Sequence, residues 1–348
     1  MSEPQPYLAL ALQTHCNAVS GISDPAATRA AMMSSIERVG RQIAGAKRFA
    51  GPDVRLVALP EYFLTGFPMQ EGAQSWARRA ALAPDGAEYD ALGSIARDAG
   101  IFLAGNAYES DAHFPGLYFQ ASFVIAPAGK VILRYRRLIS LFSPTPYDVW
   151  DRYIARYGKD SIFPVADTEL GRLAAIASEE ILYPEIARAL ALRGAEVFVH
   201  SSSEIASALA TPKNIAKQAR AIENLAYVVS ANTAGIEGIA IPASSTDASS
   251  KVVDYRGLIL AEAGFGESMA ACAEIDLAGL RRYRRRPGMG NLLSRQPIGL
   301  WREALAGREV QPGNSLLDAG GDLIGPTHAF YVERQKRVIA ALDAAGLI

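Results

Sequence analysis

The chain has few cysteines and no excess of either charge. Its 348 residues include only Cys16 and Cys272, which lie far apart and lack the spacing of metal ligands. So few thiols argue against a disulfide framework and favour a reducing compartment. Lys and Arg total 35 against 36 Asp and Glu, for a net charge of -1. This balance indicates no nucleic-acid partner. The basic residues at 281–286 fit a solvated or subunit-contacting surface.

Long apolar runs are also missing from the sequence. No stretch of about 18 apolar residues occurs, so we expect no membrane span. Residues 1–13 lack the basic region and long apolar segment of a signal peptide, and we therefore expect a cytoplasmic protein. The sequence has neither a metal-ligand motif nor a phosphate-binding glycine loop, so we also expect no metal and no cofactor.

What the sequence does contain is an alternation of short apolar runs with longer helical patterns. Strands are predicted at residues 7–12, 54–59, 101–107, 117–126, 131–135, 172–177, 197–200, 227–231, 251–253, 258–261 and 269–275. Helices are predicted at residues 25–50, 87–99, 184–193, 212–224 and 329–345. The alternation implies crossover connections and a sheet covered by helices. Two hairpin-like pairs, within residues 119–135 and 251–261, predict that the sheet is mixed.

Three predicted strands end in residues that can do chemistry. Glu61 follows an apolar strand and a proline, and Arg137 ends a strand with alternating basic residues. Ser178 ends a third strand, ahead of a helix that begins with proline. Sheets of α/β proteins place functional groups at the carboxyl ends of their strands. Each segment alone also fits a structural role, namely a capping glutamate, a solvated sheet edge or a turn serine.

Taken together and in this order, the three segments resemble the nitrilase, or carbon–nitrogen hydrolase, superfamily. That family uses a glutamate, a lysine and a cysteine on successive strand ends. Further similarity lies in residues 193–197, 218–224 and 253–257. The resemblance covers residues 7–285 and implies an α/β fold, a four-layer α-β-β-α sandwich with mixed sheets. It divides the chain into a catalytic domain at residues 1–285 and a largely irregular C-terminal extension at residues 286–348, expected at a subunit interface.

The resemblance assigns roles to individual residues. Glu61 matches the general base, Arg137 falls at the lysine position and Ser178 falls at the cysteine position. The side chains expected to contact the substrate are Tyr62, Glu179, His200 and Asp148. Asp148 is included because it is the acid nearest to the position at which some family members have a second glutamate.

The two replacements change the chemistry that such a site can perform. A serine hydroxyl is harder to ionise than a cysteine thiol, whose pKa is near 8.5. Serine nucleophiles elsewhere use a histidine or lysine base, and His200 is the histidine nearest to the site in the sequence. Arg137 can polarise a carbonyl oxygen or grip a carboxylate with its planar fork, but it does not exchange a proton.

Three interpretations follow from these residues. The first, which the retained Glu61 favours, is a hydrolase of a C–N bond in a small amide, nitrile or carbamoyl compound. The second is a catalytically silent relative that binds a small carboxylate or amide. The third is an engineered variant, in which Ser178 replaces a catalytic cysteine in order to trap a complex. Such engineering would not explain Arg137. The family also implies a homodimer or higher homo-oligomer, and a scaffold or filament is a function of a different class.

Overall fold

Strands and helices alternate along the chain in the computed structural model, which describes residues 5–69, 71–204, 211–307 and 310–348. The strands are β1 Tyr7–Ala11, β2 Cys16–Asn17, β3 Val54–Ala58, β4 Phe102–Ser110, β5 Tyr118–Ile125, β6 Val131–Arg136, β7 Ala166–Thr168, β8 Gly171–Ala177, β9 Val197–Ser201, β10 Tyr227–Ala231, β11 Ile236–Glu237, β12 Lys251–Val253, β13 Ile259–Glu262 and β14 Cys272–Ile275. The helices are α1 Pro25–Ala50, α2 Ala73–Arg79, α3 Ala87–Ala99, α4 Trp150–Tyr157, α5 Pro184–Leu192, α6 Pro212–Asn224, α7 Leu277–Arg285, α8 Ile298–Leu305 and α9 His328–Ala344.

Two mixed sheets contain most of these strands. Within the described ranges, one six-stranded sheet has the order β14-β1-β3-β4-β5-β6, and the other has the order β13-β12-β10-β9-β8-β7. The central strands of each sheet are parallel. The outer strands are antiparallel. The predicted mixed sheet is therefore confirmed, because the hairpins β5–β6 and β12–β13 add antiparallel strands to parallel centres.

The sheets pack face to face between two layers of helices. Strand β3 shows why: Leu56 and Ala58 point into the core shared with the second sheet, whereas Val57 between them packs in the core that contains α1 and α3. Such alternation buries both faces of a strand. On the far side, Ile186 of α5 joins the core of the second sheet. This arrangement confirms the predicted four-layer α-β-β-α sandwich.

The sequence patterns missed several short elements. They include α2, α4, α7 and α8, each of fewer than ten residues, and the two-residue strands β2 and β11. Helices this short show too few turns for their apolar period to stand out. None of the described helices is long and apolar enough to span a membrane.

The C-terminal extension folds back onto the body of its own chain. Leu316 is fully buried in a cluster with Phe114 and Tyr153. The guanidinium of Arg334 on α9 pairs with the buried carboxylate of Asp148. The extension is more ordered than the sequence predicts, because these contacts join α9 and the turns before it to the segments that follow β4 and β6.

Candidate active site

Glu61 lies just beyond the carboxyl end of β3 and is fully buried. Its Oε1 accepts a hydrogen bond from Gln120 Nε2 at 2.6 Å, and its Oε2 accepts one from Ser203 Oγ at 2.8 Å. The Nη1 atom of Arg137 lies 3.6 Å from Oε1. A buried carboxylate is stable only with such partners, so both oxygens of Glu61 are engaged within the fold.

Arg137 follows β6, and all three of its nitrogens have partners. Nε donates to the carbonyl oxygen of Ile139 at 2.6 Å, and Nη1 donates to Gln120 Oε1 at 2.6 Å. Nη2 donates to the carboxylate of Glu179. Burial lowers the pKa of Arg137, but the carboxylates of Glu179 and Glu61 raise that pKa above its ordinary value. Arg137 is therefore a fixed cation with an acceptor on each of its nitrogens, which leaves little of it to grip a ligand carboxylate.

Ser178 forms an elbow between β8 and the short 3₁₀ helix Ser178–Leu182. Its backbone φ is 49°, in the left-handed region that non-glycine residues rarely adopt. His200 Nε2 donates to the carbonyl oxygen of Ser178 at 2.8 Å, and Ser230 Oγ lies 2.8 Å from His200 Nδ1. Burial and the charge of Lys217 hold the pKa of His200 well below its ordinary value. The neutral ring thus fixes the strained elbow, a type of backbone feature that clusters at functional sites.

The hydroxyl of Ser178 faces the first turn of α6. Lys213 Nζ lies 3.3 Å from Ser178 Oγ, within hydrogen-bond distance. One turn further along the same helix face, Lys217 is fully buried and pairs with Glu204. Burial lowers the pKa of Lys217 to about 8 although Glu204 opposes this shift. The nucleophile candidate therefore has a lysine in contact with it, and no sequence motif pointed to that lysine.

Glu180 ties the elbow to the end of β6. Its carboxyl group accepts hydrogen bonds from the backbone N–H groups of Leu138 and Ile139 at 2.7 and 3.0 Å, and from Tyr135 Oη at 2.7 Å. Burial raises the pKa of Glu180 to about 7, against the effect of Arg137 and these donors. Glu180 thus joins the segment that carries Ser178 to the segment that carries Arg137.

A cavity of about 440 Å³ opens beside this cluster. Tyr62 and Glu179, both predicted to contact the substrate, line it together with Arg137. The described lining does not include Glu61, Ser178, Lys213, His200 or Asp148, so the cavity meets the cluster through Arg137 and Glu179. The structure corrects the role expected for Asp148: Thr145, Ser315 and Arg334 bind its two carboxylate oxygens. That carboxylate caps a turn and anchors the extension, so it is not available to a ligand.

Comparison with known proteins agrees with this geometry. The sequence model of the carbon–nitrogen hydrolase family matches residues 15–285. The chain belongs to the carbon–nitrogen hydrolase family. It is 27% identical over 265 residues to a formamidase of Pseudomonas syringae pv. syringae, covering 76% of this chain and 72% of that protein. It is 29% identical over 231 residues to a nitrilase of Pyrococcus abyssi, covering 66% of this chain and 80% of that protein.

Solved structures of carbon–nitrogen hydrolases share the fold. A carbon–nitrogen hydrolase from Helicobacter pylori G27 superposes with a TM-score of 0.64 at 20% identity, covering 87% of this chain and 99% of that one. Nit3 of Saccharomyces cerevisiae, a member of the nitrilase superfamily, gives a TM-score of 0.59 at 22% identity, covering 81% and 94%. At this identity the likeness concerns the architecture.

Three polar residues of this carbon–nitrogen hydrolase site escaped the sequence patterns, namely Gln120, Ser203 and Lys213. Gln120 interrupts the apolar run of β5, and a buried polar residue inside a strand is a signal that could have found it. Lys213 follows the proline that begins α6. Its position in the first helical turn, where the helix dipole favours acids over cations, is a weaker signal.

The cysteines of this hydrolase show no sign of activation. Cys16 is buried, and burial raises the pKa of its thiol to about 12. Burial also raises the pKa of the half-buried Cys272. Thiolates are the reactive form, so neither thiol is poised to react. Within the described ranges, no group of three or more His, Cys, Asp or Glu side chains has the arrangement of a metal site.

Proposed function

We propose that this carbon–nitrogen hydrolase cleaves the C–N bond of a carboxamide, with Ser178 as nucleophile and Lys213 as its base. In this proposal Ser178 and Arg137 stand where the family has cysteine and lysine. The observation that carries the proposal is the 3.3 Å contact between Lys213 Nζ and Ser178 Oγ. Serine nucleophiles need a base at this distance, and lysine serves as that base on unrelated folds. The formamidase relative supports an amide as the substrate class.

The reaction proceeds through an acyl-enzyme. Ser178 Oγ attacks the carbonyl carbon of the amide while its proton passes to Lys213 Nζ. The C–N bond then breaks, and Lys213 returns the proton to the departing nitrogen, which leaves as ammonia. Water next attacks the ester, its proton again passing through Lys213, and the carboxylic acid and free Ser178 are released.

Arg137 and Glu61 support this chemistry through charge and position. A guanidinium has five N–H groups, and the described partners of Arg137 leave a second N–H on Nη2 for the amide carbonyl oxygen. A preorganised cation at that oxygen stabilises the developing negative charge. Glu61, whose two oxygens accept from Gln120 and Ser203, holds Arg137 in place, so we assign the serine proton to Lys213.

Ammonia release measured across amides, nitriles and carbamoyl compounds tests this function. We expect turnover of carboxamides, and a fall in kcat of about a hundredfold or more in Lys213→Gln, since a positioned base contributes roughly that factor. Ser178→Ala should be inactive, whereas Lys130→Gln, a matched change of an exposed turn lysine, should behave as the wild type. Ser178→Cys should retain or raise turnover because a thiolate forms more easily.

Two results would contradict the assignment in different ways. If neither the wild type nor Ser178→Cys hydrolyses an amide that the protein binds, the chain is a silent relative. If Lys213→Gln keeps full activity while Glu61→Gln loses it, the base is Glu61.

A further inference from the structure

The cavity beside the catalytic cluster has an outer wall that comes from the C-terminal extension. Pro326, Thr327, His328 and Tyr331 form this wall. All four lie beyond residues 15–285, the part that matches the family. We propose that the wall makes the cavity a site for neutral carboxamides that carry an aromatic ring. The reaction of such a compound rests on the proposed function, whereas its binding rests on the cavity alone.

The size of the cavity fits a ligand of this kind. Its volume is about 440 Å³, inside the range of roughly 300–1,000 Å³ that is usual for drug-sized ligands. Formamide or acetamide would leave most of this volume unfilled. Arg137 and His328 both line this cavity, so a ligand that fills it contacts residues of the matched domain and of the extension.

The walls favour a flat apolar group in that space. Phe142 and His328 stack with ring centroids 4.6 Å apart and planes at 19°. Phe142 lines the cavity and is 46% exposed, so part of its ring is open to contact by a ligand. Deeper in the cavity, Tyr62 stacks on Tyr108 at 5.8 Å. A ligand ring between these two aromatic pairs would gain both apolar burial and ring–ring contacts.

The charges of the lining exclude a second ionised group on the ligand. The charged side chains that line the described cavity, apart from the histidine, are Glu71, Arg137 and Glu179. Glu71 pairs with Arg79, and Arg137 pairs with Glu179. A carboxylate in the outer part of the cavity would lose water without gaining an unpaired Arg or Lys. The part of the ligand that lies there is therefore neutral.

Calorimetry on the full-length Ser178→Ala variant measures binding without turnover. The probes are phenylacetamide, acetamide, which lacks the ring, and succinamate, which has a carboxylate in its place. We expect phenylacetamide to bind at least about tenfold more tightly than the other two. Phe142→Ala and His328→Ala should each weaken phenylacetamide binding by about fivefold, the size of one lost aromatic contact. Phe49→Ala, a matched change of an exposed phenylalanine on α1, should leave binding unchanged.

The outcomes separate this inference from the proposed function. Phenylacetamide that binds as expected but is not hydrolysed by the Ser178 protein supports the inference and contradicts the function. The inference is overturned if acetamide or succinamate binds as tightly as phenylacetamide, or if phenylacetamide does not bind. It is also overturned if neither Phe142→Ala nor His328→Ala weakens the binding of phenylacetamide. These conclusions hold whatever the hydrolysis assay shows.

Discussion

At the scale of single residues, a serine differs from a cysteine mainly in the base that it needs. The sequence pattern places Glu61, Arg137 and Ser178 at strand ends, and the structure puts Arg137 in contact with Glu61 and with Glu179, the neighbour of Ser178. His200 is a candidate base from the sequence, because it is the histidine nearest to Ser178 along the chain. The imidazole instead holds the backbone of the elbow. Lys213 could not be predicted, since its contact depends on where α6 begins relative to β8.

Glu180 makes the stability of the fold depend on pH. Its pKa is raised by burial from 4.5 to about 7, so the folded state favours the protonated form. The stability that this preference contributes is fully present below about pH 4.5 and is lost as the pH rises through 7. We expect the contribution of Glu180 to the free energy of unfolding of the wild type to fall by up to about 3 kcal/mol across that pH window.

Urea unfolding at pH values from 5 to 8 checks the effect of Glu180. Glu180→Gln keeps a neutral acceptor at the same place, so the difference in unfolding free energy between this variant and the wild type should shift steadily in favour of the variant as the pH rises. Glu185→Gln, a matched change of an exposed glutamate on α5, should show a constant difference. A constant difference for Glu180→Gln as well would mean that Glu180 is ionised throughout.

At the scale of elements, one face of α6 carries both the contact with Ser178 and a buried ion pair. Lys213, Lys217 and Arg220 lie three or four residues apart and so share one face of the helix. Lys213 contacts Ser178, Lys217 pairs with Glu204, and Arg220 Nε donates to the carbonyl oxygen of Ile181 at 2.9 Å. The sequence predicted α6 to the residue, because its proline start and apolar period are clear. It could not predict which polar side chains the helix buries.

We expect Lys217→Met to destabilise the fold by about 3–5 kcal/mol, because it leaves the carboxylate of Glu204 buried without its cation. The double variant Lys217→Met with Glu204→Leu should recover most of that loss, since replacing both charges with apolar groups removes the cost of burying them. Unfolding in urea measures both values. A double variant no more stable than the single one would show that Glu204 needs its charge for another contact.

At the scale of the whole molecule, the sheets and helices of the sandwich follow from sequence patterns, but the course of the extension does not. Apolar periodicity predicts a strand or helix from neighbouring residues alone. The packing of residues 310–348 against the body of the chain depends on contacts between distant parts of the sequence, such as that between Asp148 and Arg334. The division of the chain at residue 285 and its self-association stay predictions.

The pair formed by Asp148 and Arg334 links the extension to the body, so breaking it should open the outer wall of the cavity. Arg334→Met leaves the buried carboxylate of Asp148 with only hydroxyl and backbone donors. We expect this change to weaken the attachment of the extension to the body by about 3 kcal/mol. Because the extension carries few other buried groups, its release should precede global unfolding. Limited proteolysis followed by mass spectrometry should then show early cleavage within residues 310–348 while the body stays intact, and phenylacetamide should bind more weakly.

Lys336→Met, which changes an exposed cation on the same helix, should match the wild type in both measurements. If Arg334→Met matches it too, the extension is held by its apolar contacts around Leu316.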